Sequence, residues 1–298
     1  MTRDRFKIGV VAPASRIDES LAERVRAVAR DLYGNRVELV FHPQCFLASG
    51  HFAGPDQVRA NAFVEIANDA SCDALWWARG GYGANRIAEL VLPRLNEAAR
   101  KKVYLGYSDA GFLLAGLYKA GFEVAHGPVA ADINRGPAPA HDPTAPPADP
   151  RSGRLAVMRA LKFLVERDPS TLEPTVLGGE PVAAFNLTIL SHLLGTPWEP
   201  DLAGHVLMLE DVSEPMYAID RALFHVTANP NIRDVAGLKL GRVSEVPSND
   251  PEFGETEEQI MRHWCEVSGI PYLGRADIGH DVDNKVVPFG RWRAKVSA

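Results

Sequence analysis

The amino-acid sequence predicts an α/β protein of two lobes, and three observations carry that prediction. Short apolar runs alternate with helical patterns through residues 1–133; a proline-rich stretch interrupts them; a second alternation begins at about Pro174. Strands that alternate with helices argue for parallel sheets covered on both faces.

Phe6 to Ala12 is a strand rich in β-branched residues. Asp18 is placed to cap the following helix, whose apolar positions Leu21, Val25, Val28 and Leu32 share one face before Gly34-Asn35 end it. Arg36 to Phe41 is a second strand, and Pro55 to Asn68 a helix with proline at its start. Asp73 to Ala78 and Val103 to Tyr107 are further strands. An amphipathic helix is expected over Ala110 to Ala120, stopped by Gly121, with a short strand at Glu123 to His126.

Asn134 to Pro150 holds six prolines and almost no large apolar residue, so it is expected as an exposed linker, followed by a helix over Leu155 to Val165. The domain reading is therefore 1–133, a linker and connecting helix at 134–173, and 174–298. In the last part, His205 to Glu210 is the clearest strand, and Glu214 to Thr227 is a helix with Pro215 in its first turn. Leu238 to Val243 is strand-like, Glu255 to Val267 helical, and the tail from Pro271 to Val296 consists of short strands and turns.

The 298 residues suffice for one large or two ordinary domains, and 46% apolar with 23% charged content is ordinary for a globular protein. A net charge of -6 argues against a nucleic-acid partner. Cys45, Cys72 and Cys265 are too few and too scattered for a disulfide framework, which suits a reducing compartment. The N-terminus lacks the long apolar run of a signal peptide, and no window approaches a membrane span, so the chain is expected to be soluble and cytoplasmic.

Ser108 stands directly after an apolar strand and before a helix, where a sharp turn projects a hydroxyl above a sheet. The amide of Asp109 then lies near a helix N-terminus, suited to a developing oxyanion. The plainer alternative is that Ser108 or Asp109 caps the helix. Gly80, Gly81, Tyr82 and Gly83 also follow a strand; the glycines let backbone amides point into a site. A phosphate cradle lacks its G-x-G-x-x-G spacing and Walker lysine, and a plain tight turn is the plainer alternative. Both loops fall at strand C-terminal ends, where parallel sheets bind ligands. A serine needs a base. His280, in the turn-rich GHDVDN segment, differs from His42, His51, His126, His192, His205, His225 and His263, which are expected as packed or solvated residues; His141 lies in the proline-rich stretch. Glu210 closes an apolar strand and could orient that base, with Asp211 and Glu214 as competitors.

Together these segments resemble the LD-carboxypeptidase family of serine peptidases, which includes the microcin C self-immunity peptidases. The matching stretches are IGVVAPAS at the start, ARGGYGANRI at 78–87, GYSD at 106–109, NLTILSHLLGTPW at 186–198, LEDVSEPMYAIDRAL at 209–223, and GHDVDN with VPFG at 279–290. The resemblance implies a Rossmann-like or flavodoxin-like N-terminal domain carrying the nucleophile and a smaller, swivelling, barrel-like C-terminal α/β domain carrying the other two groups. It implies Ser108 as nucleophile, His280 as base and Glu210 as its partner, with an oxyanion and substrate site at Asp109, Gly80, Gly81 and Tyr82. No metal or cofactor is implied. The expected substrate is a peptidoglycan-derived peptide losing its terminal D-alanine, and the expected state a homodimer. Two departures stand out: Ala184-Phe185 replaces the family's Gly-Gly before Asn-Leu, which would reshape the substrate pocket, and the proline-rich stretch is long.

The rivals are an α/β-hydrolase esterase, a peptidase for a peptide–nucleotide antibiotic, and a silent ligand-binding protein. The esterase's G-x-S-x-G elbow fails because Ala110 replaces the last glycine. The antibiotic peptidase wants an aromatic platform, for which Trp76, Trp77 and Trp198 are the candidates.

Overall fold

A computed structural model describes residues 5–136 and 152–293. The proline-rich stretch expected as a linker lies mostly outside the described residues. The chain runs β1 (Phe6–Val11), α1 (Glu19–Tyr33), β2 (Val37–Phe41), α2 (Asp56–Asn68), β3 (Ala74–Trp77), α3 (Ala88–Val91), β4 (Val103–Gly106), α4 (Gly111–Lys119) and β5 (Glu123–His126). After the connecting helix α5 (Ser152–Glu166) come β6 (Val182–Asn186), α6 (Leu187–Leu193), β7 (Val206–Val212), α7 (Met216–Ala228), β8 (Gly237–Ser244), α8 (Glu257–Ser268), β9 (Tyr272–Arg275) and β10 (Val287–Pro288).

The first sheet has the order β10-β5-β4-β3-β1-β2, parallel throughout except for β10. Read from its other edge, the parallel part is the 2-1-3-4-5 order of flavodoxin-like folds, whose crevice opens beyond the strand C-termini. The second sheet, β6-β7-β8-β9, is wholly parallel. The α/β expectation of two sheets therefore holds. The chain end crosses between them: β10 pairs antiparallel with β5, matching Val287 to His126.

Local rules explain most elements. The Asp18 carboxylate accepts from the Leu21 amide at 2.7 Å and caps α1, which buries Leu21, Val25, Val28 and Tyr33; Leu32 is only half-buried. Pro55 and Pro215 sit one residue before α2 and α7, at the cap rather than in the first turn, because each holds an extended ψ. Two readings change. α4 is not amphipathic: every residue from Gly111 to Leu117 is buried, because the helix packs on β4 and β5 of the first sheet and also against α3 and α6. β6 has no counterpart among the strands expected from the sequence, since VAAFN is short and two of its five residues are alanine, yet it is buried along its whole length. One apolar cluster runs from Trp77 and Leu113 to Phe185, Leu209 and Leu240, so both sheets share a core.

Candidate active site

The loops after β1, β3 and β4 meet at the C-terminal edge of the first sheet. Beyond Gly106 the chain makes a single 3-10 turn over Ser108–Ala110 before entering α4. Ser108 has φ of 63°, a left-handed conformation that side chains with a Cβ rarely adopt. Neither the turn nor α4 receives a side-chain capping bond, so the capping alternative for Ser108 and Asp109 fails. Holding a serine there costs on the order of 1–3 kcal/mol and persists only where neighbours enforce it.

Those neighbours are visible. A Cβ on Gly80 would lie 3.0 Å from the Ser108 Cβ and 3.1 Å from its Oγ, so only glycine lets this backbone approach the hydroxyl. Gly81 has φ of 114°, and a Cβ there would collide with the Ser15 Oγ. The Asp109 carboxylate accepts from the Gly83 amide at 3.2 Å and the Ala84 amide at 2.8 Å. Burial pushes that carboxyl up to about 6, although the two amides pull it down. From the other side, the fully buried Arg59 donates to the Gly83 carbonyl at 2.9 Å and to the Pro13 carbonyl, and pairs with Asp56. Sequence reasoning missed Arg59; its only signal was an arginine on the otherwise apolar face of α2.

The second sheet supplies the other groups. Glu210 is fully buried near the end of β7, where the β7–β8 register shifts between Leu209 and Asp211. Leu209 pairs with Leu240 and Asp211 with Val243, so two β8 residues, Gly241 and Arg242, oppose Glu210. Such a bulge re-aims a side chain. A Cβ on Gly241 would lie 2.8 Å from the Glu210 Cβ, so the close crossing needs glycine. Glu210 Oε2 lies 2.5 Å from His280 Nδ1, while His280 Nε2 has no hydrogen-bond partner among the described residues. The Tyr107 ring packs on the imidazole at 4.8 Å.

Three arginines hold the histidine loop. Arg135 donates to the His280 carbonyl at 2.6 Å; Arg159 donates to the Val282 and Asn284 carbonyls at 2.6 and 3.1 Å; Arg242 binds both Asp277 and Asp281. Arg135 is itself bound by Asp132, which accepts from the Tyr107 hydroxyl at 2.9 Å. Ser108 and His280 line one cleft of about 660 Å³, together with Arg79, Gly80 and Gly81. Among the described residues no hydrogen bond joins the serine to the histidine. The arrangement is a serine and a histidine that line one cleft, the imidazole bound through Nδ1 to a buried carboxylate.

Two sequence profiles match the chain. The LD-carboxypeptidase N-terminal domain matches residues 8–127, and the LD-carboxypeptidase C-terminal domain matches residues 180–294. The chain belongs to the LD-carboxypeptidase family. It is 30% identical to a Bacillus subtilis protein named "Probable murein peptide carboxypeptidase", over 95% of this chain and 86% of that one. It is 26% identical to the murein tetrapeptide carboxypeptidase of Pseudomonas aeruginosa, over 96% and 91% of the two chains. In structure it resembles the muramoyltetrapeptide carboxypeptidase from Oxalobacter formigenes with a TM-score of 0.72 at 22% identity, covering 95% of this chain and 93% of that one. It also resembles MccF in complex with glutamyl sulfamoyl guanosine, with a TM-score of 0.74 at 19% identity, covering 96% and 92%.

This LD-carboxypeptidase-family chain is a peptidase by membership, and its other candidate residues separate cleanly. Asp211 is engaged in structure: its carboxylate accepts from Asn186 Nδ2 at 2.7 Å and from the Thr188 amide and hydroxyl at 3.0 and 2.8 Å. Glu214 does not contact His280 but lines a smaller cavity of about 360 Å³ on the other side of Ser108. Burial, then Asp211, raises its carboxyl, against a lowering by His192. Tyr82, 48% exposed, borders this smaller cavity rather than the larger cleft, beside Phe52. Ala184 and Phe185 are buried in β6 and line neither cavity; the Phe185 ring packs on Phe289 at 5.0 Å, so the departure reshapes the core. Trp76 and Trp77 are fully buried, and Trp198 packs against the core. Among the described residues no group of three or more His, Cys, Asp or Glu could hold a metal, and no helix is long and apolar enough to cross a membrane.

Proposed function

We propose that this chain is a serine-type LD-carboxypeptidase that releases the terminal D-alanine from peptidoglycan-derived tetrapeptides in the cytoplasm, with Ser108, His280 and Glu210 as nucleophile, base and orienting acid. The observation that carries the reading is the His280 Nδ1–Glu210 contact, which leaves Nε2 buried and without a hydrogen-bond partner among the described residues, on a residue that lines the same cleft as Ser108. The names of the relatives supply the substrate class.

In this mechanism His280 Nε2 takes the hydroxyl proton as Ser108 Oγ attacks the carbonyl carbon of the L-centre residue. Glu210 holds the Nδ1–H tautomer and offsets the charge of the imidazolium. The Asp109 and Gly81 amides face the developing oxyanion, a contribution of about 3–4 kcal/mol per donor. The tetrahedral intermediate collapses, the C–N bond breaks, and the leaving amine takes the proton from Nε2. Water then repeats the sequence on the acyl-enzyme and frees the serine. The left-handed turn at Ser108 supports the reading, since it is the conformation of a nucleophile exposed above a sheet. Glu214 in the smaller cavity suits an ammonium group on the acyl side.

Incubation with a muropeptide tetrapeptide tests the proposal: free D-alanine is expected from the native protein and none from the folded Ser108→Ala variant. Substantial turnover by that variant rules out the assigned nucleophile. A serine-reactive fluorophosphonate should label Ser108, and an unlabelled serine points to a binding protein instead. The proposed working unit is a homodimer, which sedimentation checks. A peptide–nucleotide substrate is disfavoured because none of the three tryptophans offers a face to the cleft.

A further inference from the structure

Two guanidinium groups in the larger cleft have no part in that mechanism. Arg16 follows β1 and Arg79 follows β3, so both stand at the sheet edge where Ser108 turns, and both line the cleft with His280. Both are exposed, and neither forms an ion pair or side-chain hydrogen bond with a described residue. The carboxylates bordering the same cleft are engaged. Asp18 caps α1, Asp132 accepts from Tyr107 and Arg135, and Glu245 accepts from the Ser213 hydroxyl at 3.2 Å. The third arginine, Arg135, is committed to Asp132 and the His280 carbonyl. The cleft therefore presents two guanidinium groups with no ion-pair partner among the described residues, whose donors are available to an anion.

The chemistry decides which part of a substrate meets them. His280 must return its proton to the leaving nitrogen, so the leaving residue lies on the imidazole's side of Ser108. His280 lines the larger cleft and not the smaller cavity, which places the leaving residue with Arg16 and Arg79. A C-terminal residue carries its free α-carboxylate about 2.5 Å beyond that nitrogen. Guanidinium groups match carboxylates in geometry and keep their charge at every working pH.

We propose that Arg16 and Arg79 bind the free α-carboxylate of the leaving residue and so restrict the cleft to chain ends. The inference rests on the proposed function: it names the groups that make the same site an exopeptidase site.

The test compares a tetrapeptide ending in D-alanine with the same peptide ending in D-alaninamide. The native enzyme should prefer the free acid in kcat/KM. Arg79→Ala and Arg16→Ala should each shrink that preference by about ten- to a hundred-fold, and the double variant should abolish it. Undiminished preference in the double variant overturns the proposal. Binding of the two peptides to Ser108→Ala, with and without both arginine changes, reads the same ratio without turnover and decides the matter if the double variant is inactive. Equal binding of acid and amide to Ser108→Ala also overturns it. A native protein that neither cleaves nor binds the tetrapeptide defeats the functional reading instead, before any arginine variant is made.

Discussion

The two sides of the cleft are built in different ways. On the first sheet, the serine turn and the glycine loop lie within about 30 residues of each other (78–109) and are shaped by backbone: positive φ at Ser108 and Gly81, amides held by Asp109, and a carbonyl held by Arg59. On the second, Glu210 and His280 are 70 residues apart in sequence, and their loops are held by charge: Arg135, Arg159 and Arg242 grip the chain from 277 to 284. The first region is a local fold with little freedom once the strands form. The second is an assembly whose geometry depends on ion pairs and on a bulge in β7–β8.

The sharpest attack on this contrast is Glu210→Gln, which keeps the shape and removes the charge that orients the base. kcat should fall on the order of 10⁴-fold with the fold intact by circular dichroism. A loss of less than tenfold breaks the assigned role. Next comes Gly81→Ala on the backbone-built side. Its positive φ and the collision with Ser15 should cost about 1–3 kcal/mol of stability, and displacement of its amide should lower kcat by roughly 10²- to 10³-fold. Unchanged denaturation and turnover together contradict the backbone argument.

Asp109 sharpens the comparison through pH. Its carboxyl is raised from 3.8 to about 6 by burial, so the native state holds the proton more tightly than the unfolded chain. The stability this gives is complete below pH 3.8 and disappears as pH rises through about 6. The melting temperature of the native protein relative to Asp109→Asn should therefore shift in the native protein's favour as pH falls from 7 to 4. A gap that stays level over that range removes the buried-carboxyl account. The smallest effect belongs to Thr256→Ala, which breaks the capping box of α8, away from the cleft. About 1 kcal/mol should be lost, lowering Tm by roughly 2–4 °C, with kcat/KM that of the native enzyme.

What could be read from residue order follows the same division. The strands from Phe6 to His126, the Asp18 cap and the serine turn after Val103–Gly106 were legible because periodicity, capping and turn chemistry act within a few residues. Ser108 and the glycine loop could be nominated from their place after strands, whereas His280, Glu210, Asp211 and Glu214 were separated by resemblance and not by pattern. The tertiary structure decided the rest. It put His280 against Glu210 and sent Asp211 to Thr188, placed Glu214 across Ser108, buried α4 on every side, and turned Arg59 inward to the Gly83 carbonyl. A linear sequence shows which side chains are available and how each short segment prefers to bend. Which carboxylate meets which imidazole depends on how two sheets pack and where a strand bulges, and those long-range contacts leave no mark on local spacing.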